Sequence, residues 1–122
     1  MREILFRGKS KTTGEWFYGN LFVEDAKGRT HVGITTKACF NIDPETVGQF
    51  TGMIDKNGTK IFEGDILNEP FLCGEKLYYV FWDDDYFAFR AKGEDITYHL
   101  DEISPSHCEV IDNIHDNKEF LK

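Results

Sequence analysis

Apolar residues along this chain come in short runs separated by turn residues, and none keeps helical spacing for long. Ile4-Leu5-Phe6 and Trp16-Phe17-Tyr18 flank a polar stretch in which Thr13-Gly14 supplies turn chemistry. The second run continues through Leu21-Phe22-Val23, with Gly19 marking a bulge or a close approach. Asp25 to Arg29 makes another turn, where Gly28 is free to take positive φ, and His31 to Thr36 reads as a third strand. Residues 1–37 therefore predict an antiparallel meander. Asp43-Pro44 then favours a turn and the start of a short helical turn. Val47, Phe50 and Met53 recur every third position, but Gly48 and Gly52 argue against a long helix. That segment reads as a connector packed down by its few apolar residues.

Asn57-Gly58 is a tight-turn signal, and Gly64-Asp65 leads into the apolar pair Ile66-Leu67. From Lys76 to Trp82 both alternating sets are apolar, which predicts a central strand covered on both faces. Asp83-Asp84-Asp85 is the turn, and Tyr86 to Ala91 returns as the partner strand, with Phe87 and Phe89 on one face. Leu100 to Ile103 predicts a helical turn, Cys108 to Ile114 a last strand, and the final residues a frayed turn or short helix. The expected class is mainly β with short helical turns. A meander and connector would occupy residues 1–53. A small, partly open barrel with a C-terminal tail would occupy 54–122, the whole being compatible with one compact unit.

Composition adds a core to this picture. With 122 residues, 40% of them hydrophobic and 11 of them Phe, the chain can fill an interior with bulky side chains. No run is long enough for a membrane span, and the N-terminus lacks the apolar stretch of a secretory signal. Cys39, Cys73 and Cys108 are far apart and form no CxxC pair, so they predict reduced thiols and a cytoplasmic protein. Charge is uneven. Residues 1–61 carry 9 Lys+Arg against 7 Asp+Glu, and residues 62–122 carry 5 against 15, giving +2 and −10 within the total of −8. An acidic surface repels phosphate backbones, which argues against direct nucleic-acid binding.

Candidate chemistry is sparse. Asp55 opens a calcium-like loop with Asn57 third. However, Gly58 comes fourth, Thr59 fifth and Glu63 ninth, and Ile66 stands where a closing Glu is required. A hairpin turn is the better reading. Asp83, Asp84 and Asp85 cannot all face one cation from a strand, because side chains alternate, so they read as a solvated tip. His99, His107, Cys108 and His115 are zinc-competent types at no compact zinc spacing. Neither a Gly-x-Ser-x-Gly elbow nor a phosphate loop is present. Tyr78, Phe81, Trp82, Phe87 and Phe89 could stack on bases, but they lie in the acidic half, and they read mainly as core. No residue is assigned a catalytic, cofactor-binding or metal-binding role, no cofactor is expected, and the chain reads as a non-enzyme.

The stretch from Val47 to Ile66 carries a resemblance. Val47-Gly48-Gln49-Phe50-Thr51-Gly52, then Asp55, Asn57-Gly58, and Ile61-Phe62-Glu63-Gly64-Asp65-Ile66 are similar to the signature of the YopX family of small phage and prophage proteins. The opening Arg2-Glu3-Ile4 with Phe6-Arg7 and the closing stretch from Glu109 to Leu121 also match. There Asp112 stands where the family has glycine and Lys118 where it has proline. The resemblance implies a β-rich fold with an SH3-like barrel in its second half, acting in the bacterial host cell, and it carries no catalytic residues onto this chain. The expected role is an accessory module that binds an unknown host or phage protein or forms a homo-oligomer. The alternatives are an acidic DNA-mimic decoy for a host nucleic-acid-binding protein and, less favoured, an unrecognised enzyme or metal-binding protein.

Overall fold

The computed structural model describes residues 3–36, 38–71 and 74–121, so Arg2 and Cys73 lie outside the described residues. The chain is mainly β, in two antiparallel sheets, and divides into two compact units, Met1–Phe50 and Thr51–Lys122.

The first unit is the predicted meander. Strands β1 (Phe6–Lys9), β2 (Trp16–Ala26), β3 (Arg29–Thr35) and β4 (Cys39–Asn41) follow one another across the sheet. Lys27 and Gly28 both take positive φ, +52° and +74°, which is the primed two-residue turn whose twist matches its flanking strands. Gly19 is a close approach and not a bulge: it pairs in register with Phe6, and a Cβ there would run into the Thr35 carbonyl. Ile34 and Ile42 are fully buried, and Phe17 stacks on Phe40 at 3.9 Å. The short 3-10 helix Pro44–Thr46 forms as predicted, with the Asp43 carboxylate accepting the Glu45 N–H.

The connector expected after it is a strand. In β5 (Gly48–Ile54), Gln49 and Gly48 pair with Phe6 and Arg7 of β1, and the Phe50 N–H donates to the Leu5 carbonyl at 2.8 Å. Gly48 and Phe50 are buried while Gln49 between them is half-buried. The period is therefore two, and the three-residue recurrence of Val47, Phe50 and Met53 is incidental.

In the second unit, β6 (Lys60–Phe62) lies beside the later residues of β5, and the Ile61 carbonyl accepts the Thr51 hydroxyl. The five-stranded sheet runs β10-β9-β8-β7-β11, from β7 (Asp65–Phe71), β8 (Gly74–Asp83), β9 (Ala88–Lys92), β10 (Thr97–His99) and β11 (Glu109–Asn113). Four strands form a meander. The 3-10 helices Leu100–Ile103 and Pro105–His107 then carry the chain back, so that β11 pairs with the free edge of β7. Among the described residues no ladder joins β10 to β11, so the sheet is open.

One face of this sheet holds the core. Leu67, Tyr78, Val80 and Ala91 are in register across β7, β8 and β9, covered by Leu100, Ile103 and Cys108 and joined by Ile61. The other face of β8 is covered less than its apolar sequence predicts. Leu77 is exposed and Tyr79 and Phe81 are half-buried, with Phe120 of the terminal 3-10 helix Lys118–Leu121 set edge-on to Tyr79 at 6.1 Å.

Candidate functional site

The calcium-like stretch is an internal staple. Asp55 is 4% exposed. Its Oδ1 accepts the N–H groups of Asn57 (2.9 Å) and Thr59 (2.8 Å), and its Oδ2 accepts the N–H of Val110 on β11 (2.9 Å). Burial by itself raises the pKa of this carboxyl. The three N–H donors and the Lys56 ammonium outweigh it and hold the group below its ordinary value. Both oxygens are thus committed to the backbone. Gly64 takes φ +90°, with its N–H on the Val80 carbonyl and its own carbonyl accepting from Ile114. Asp65, also buried, accepts the Phe62 N–H at 2.8 Å. These signature acids hold turns in place.

The zinc-competent residues do not converge. His99 packs against Tyr86, His107 is exposed, His115 lies beside Gly64, and Cys108 is in the core. Among the described residues no group of three His, Cys, Asp or Glu is placed to hold a metal. Burial, reinforced by the Glu69 and Asp55 carboxylates, pushes the Cys108 thiol up to about 11, so it is protonated at neutral pH and a poor nucleophile. Tyr78 is pushed up to about 12, chiefly by burial and then by the Glu69 carboxylate with which it hydrogen-bonds.

A groove of about 740 Å³ runs between the first half of β8, the turn from Gly93 to Ile96 and the terminal 3-10 helix. Tyr79, Ile96 and Phe120 line it together with Lys92, Glu94 and Asp95. Among the described residues its polar lining is of Lys, Glu, Asp and Tyr, without His, Cys, Ser or Thr.

The remaining unusual feature is the β8–β9 hairpin tip, and it corrects the expectation that its aromatics are core. Of the five residues assigned there, Tyr78 is buried and Phe81 and Phe89 are half-buried, but Trp82 and Phe87 are exposed. The physical reason is turn length. The turn occupies Asp84 to Phe87, which takes Tyr86 and Phe87 out of the returning strand, so β9 starts only at Ala88. Phe87 is 81% exposed and sits at φ +49°, the left-handed region that bulky L residues avoid. Trp82, 43% exposed, lies edge-on to Phe89 at 5.1 Å and donates its indole N–H to Asp84 Oδ1 at 2.9 Å. Tyr86, 56% exposed, lies between the Arg90 guanidinium (4.0 Å) and the His99 ring (5.5 Å). Arg90 is itself held by Asp83 at 3.2 Å and by the Thr97 carbonyl at 3.1 Å. The outcome is a hydrogen-bonded tip with three exposed aromatic rings. The acidic run beside them was visible in the sequence, but alternation alone could not place Tyr86 and Phe87 in the turn.

Fold and site together define a small two-unit β protein in which Asp55 and Asp65 hold turns and three exposed aromatics gather at the β8–β9 tip. A family model, "YopX protein", matches residues 5–122, and the chain belongs to the YopX family. Among solved structures it is similar to the crystal structure of protein EF1440 from Enterococcus faecalis, with a TM-score of 0.57 and 21% identity over 100% of both chains, a likeness of fold alone. No curated protein matches the chain.

Proposed function

We propose that this protein is a non-enzymatic accessory module that binds another protein through the β8–β9 hairpin tip. The observation that carries this reading is Phe87. A large apolar ring, almost fully exposed, stands at a backbone angle that favours glycine. Neither burial nor local geometry selects phenylalanine there, and backbone strain of this kind gathers at functional positions. Rigid exposed aromatics are also what dominates binding energy at protein interfaces. The strand order of the second unit, a four-strand meander with a return through 3-10 turns to the edge of β7, supports an SH3-like, partly open barrel as the scaffold for this tip. The setting implied by family resemblance is a phage or prophage gene product in the host cytoplasm.

The test is affinity purification from induced or infected bacterial cells with the native chain and with Phe87→Gly. Glycine relieves the positive φ, so the variant is expected to be as stable as the native protein or about 1 kcal/mol more stable, while the partner is lost. Equal recovery of the same partner by both proteins overturns the reading. One such partner is a second copy of the chain. Light scattering is then expected to give a multiple of 14.1 kDa, and the mass of one chain removes self-assembly.

A second reading rests on charge. Residues 51–122 carry 16 Asp+Glu against 7 Lys+Arg, which supports a DNA-mimic decoy for a host nucleic-acid-binding protein. A decoy would keep its partner in Phe87→Gly, and recovery of no DNA-binding host protein at low salt disposes of it.

A further inference from the structure

Resting on the protein-binding reading, we infer that the surface received by the hairpin tip is cationic: a protein segment carrying several arginine or lysine side chains. Three observations converge on this chemistry. The first is the balance of charge around the rings. Asp84 and Asp85 are exposed in the turn itself. Asp101 and Glu102 are exposed on the following 3-10 helix, and Glu102 is tied to the tip because its Oε1 holds the His99 N–H at 2.8 Å while the His99 ring packs on Tyr86. The base among them, Arg90, is neutralised by Asp83, with both side chains largely buried. The tip therefore shows solvent a net negative rim.

The second observation is how the rings and acids are arranged. The Trp82 indole is fixed to the Asp84 carboxylate, so a π-face and an anion are presented side by side. Aromatic faces attract cations through the ring quadrupole. A guanidinium can stack on a ring while its N–H groups reach a neighbouring carboxylate, which an ammonium does less well. The hairpin already uses this pairing internally, where Arg90 lies over Tyr86 and binds Asp83. The third observation is that hydrogen bonds close the turn. The Asp85 N–H is held by Asp83 Oδ1 and the Tyr86 N–H by the Asp83 carbonyl, so the acids are displayed on a closed turn and little ordering cost remains for binding. The surplus of acids in residues 51–122 would steer a basic segment toward this unit before contact.

The probe is a synthetic twelve-residue Arg-Ser repeat peptide, titrated at about 0.15 M salt into the isotopically labelled full chain and followed by NMR. The expected result is movement of the Trp82 indole N–H and of the amides from Asp84 to Ala88. Affinity should fall about tenfold or more in Phe87→Gly, and again in the double variant Asp84→Asn, Asp85→Asn. Asparagine keeps an acceptor for the Trp82 indole, so the double variant removes charge alone. A Lys-Ser repeat should bind more weakly, and a Glu-Ser repeat should not bind. No shifts, or shifts spread over the acidic surface and unchanged in Phe87→Gly, overturn the inference. If cellular partner capture depends on Phe87 while the arginine peptide leaves the tip unmoved, the cationic partner is wrong and the protein-binding role stands. If capture is independent of Phe87, the role itself fails.

Discussion

Replacing Asp55 with alanine is expected to cost about 3–5 kcal/mol of stability, a large part of what a small domain has. One carboxylate closes the turn from Asp55 to Thr59 and also fastens that turn to β11 through the Val110 N–H. Each hydrogen bond to a charged group contributes about 1.5–3 kcal/mol. Asn57 and Thr59 are exposed, so water can replace part of their loss, whereas the half-buried Val110 N–H is left without its acceptor. Asparagine does not rescue the site, because its amide group must turn a donor toward at least one backbone donor. The pH dependence has a definite sign. The folded carboxyl titrates below its ordinary value of 3.8. Its contribution is therefore fully present well above that pH and is lost as pH falls through the lower, folded pKa. Urea unfolding of the native chain and Asp55→Asn, repeated from neutral pH downward, should show the two stabilities converging below about pH 4. A constant gap at every pH would mean that the carboxylate charge is not what holds the turn.

This staple shows how far the fold could be read from the chain. Asn57-Gly58 announces the turn by composition, and Gly58 does take φ +80°. The partner of Asp55 is 55 residues away, and no local pattern points to it. The three-strand meander was legible because its turns carry Gly14 and the pair Lys27-Gly28 at the required angles. By contrast, β5 was hidden by its glycines, since Gly48 and Gly52 remove the side chains that would display a period of two. Whether the second sheet closes was not legible either, because barrel closure depends on strand tilt and register, which short apolar runs do not encode. At the hairpin tip, alternation assumes that every residue after the turn is already in the strand. The four-residue turn breaks that assumption at Tyr86 and Phe87, the residues proposed to bind.

Ile61→Ala separates the two halves of the family signature, its turn chemistry and its packing. Ile61 is fully buried, and it belongs to the cluster built on Leu67, Tyr78 and Val80. Its carbonyl accepts the Thr51 hydroxyl, a bond to the backbone that the substitution leaves in place. The loss is then of packing alone: transfer free energy of the deleted carbons plus the cavity left among neighbours that collapse only in part. That sum is about 2–5 kcal/mol, against about 0.5–1.5 kcal/mol for Ile61→Val. Denaturant unfolding should show the midpoint falling in that order with little change in slope, since the area exposed on unfolding is nearly the same. Asp55 closes the β5–β6 turn by holding the Thr59 N–H, and Ile61 follows two residues later in β6, so the double variant should lose less than the two single losses added. Strict additivity would show that the turn and the core hold independently. Coupling would show that the Asp55 carboxylate stabilises the unit by holding Ile61 in its place in the core.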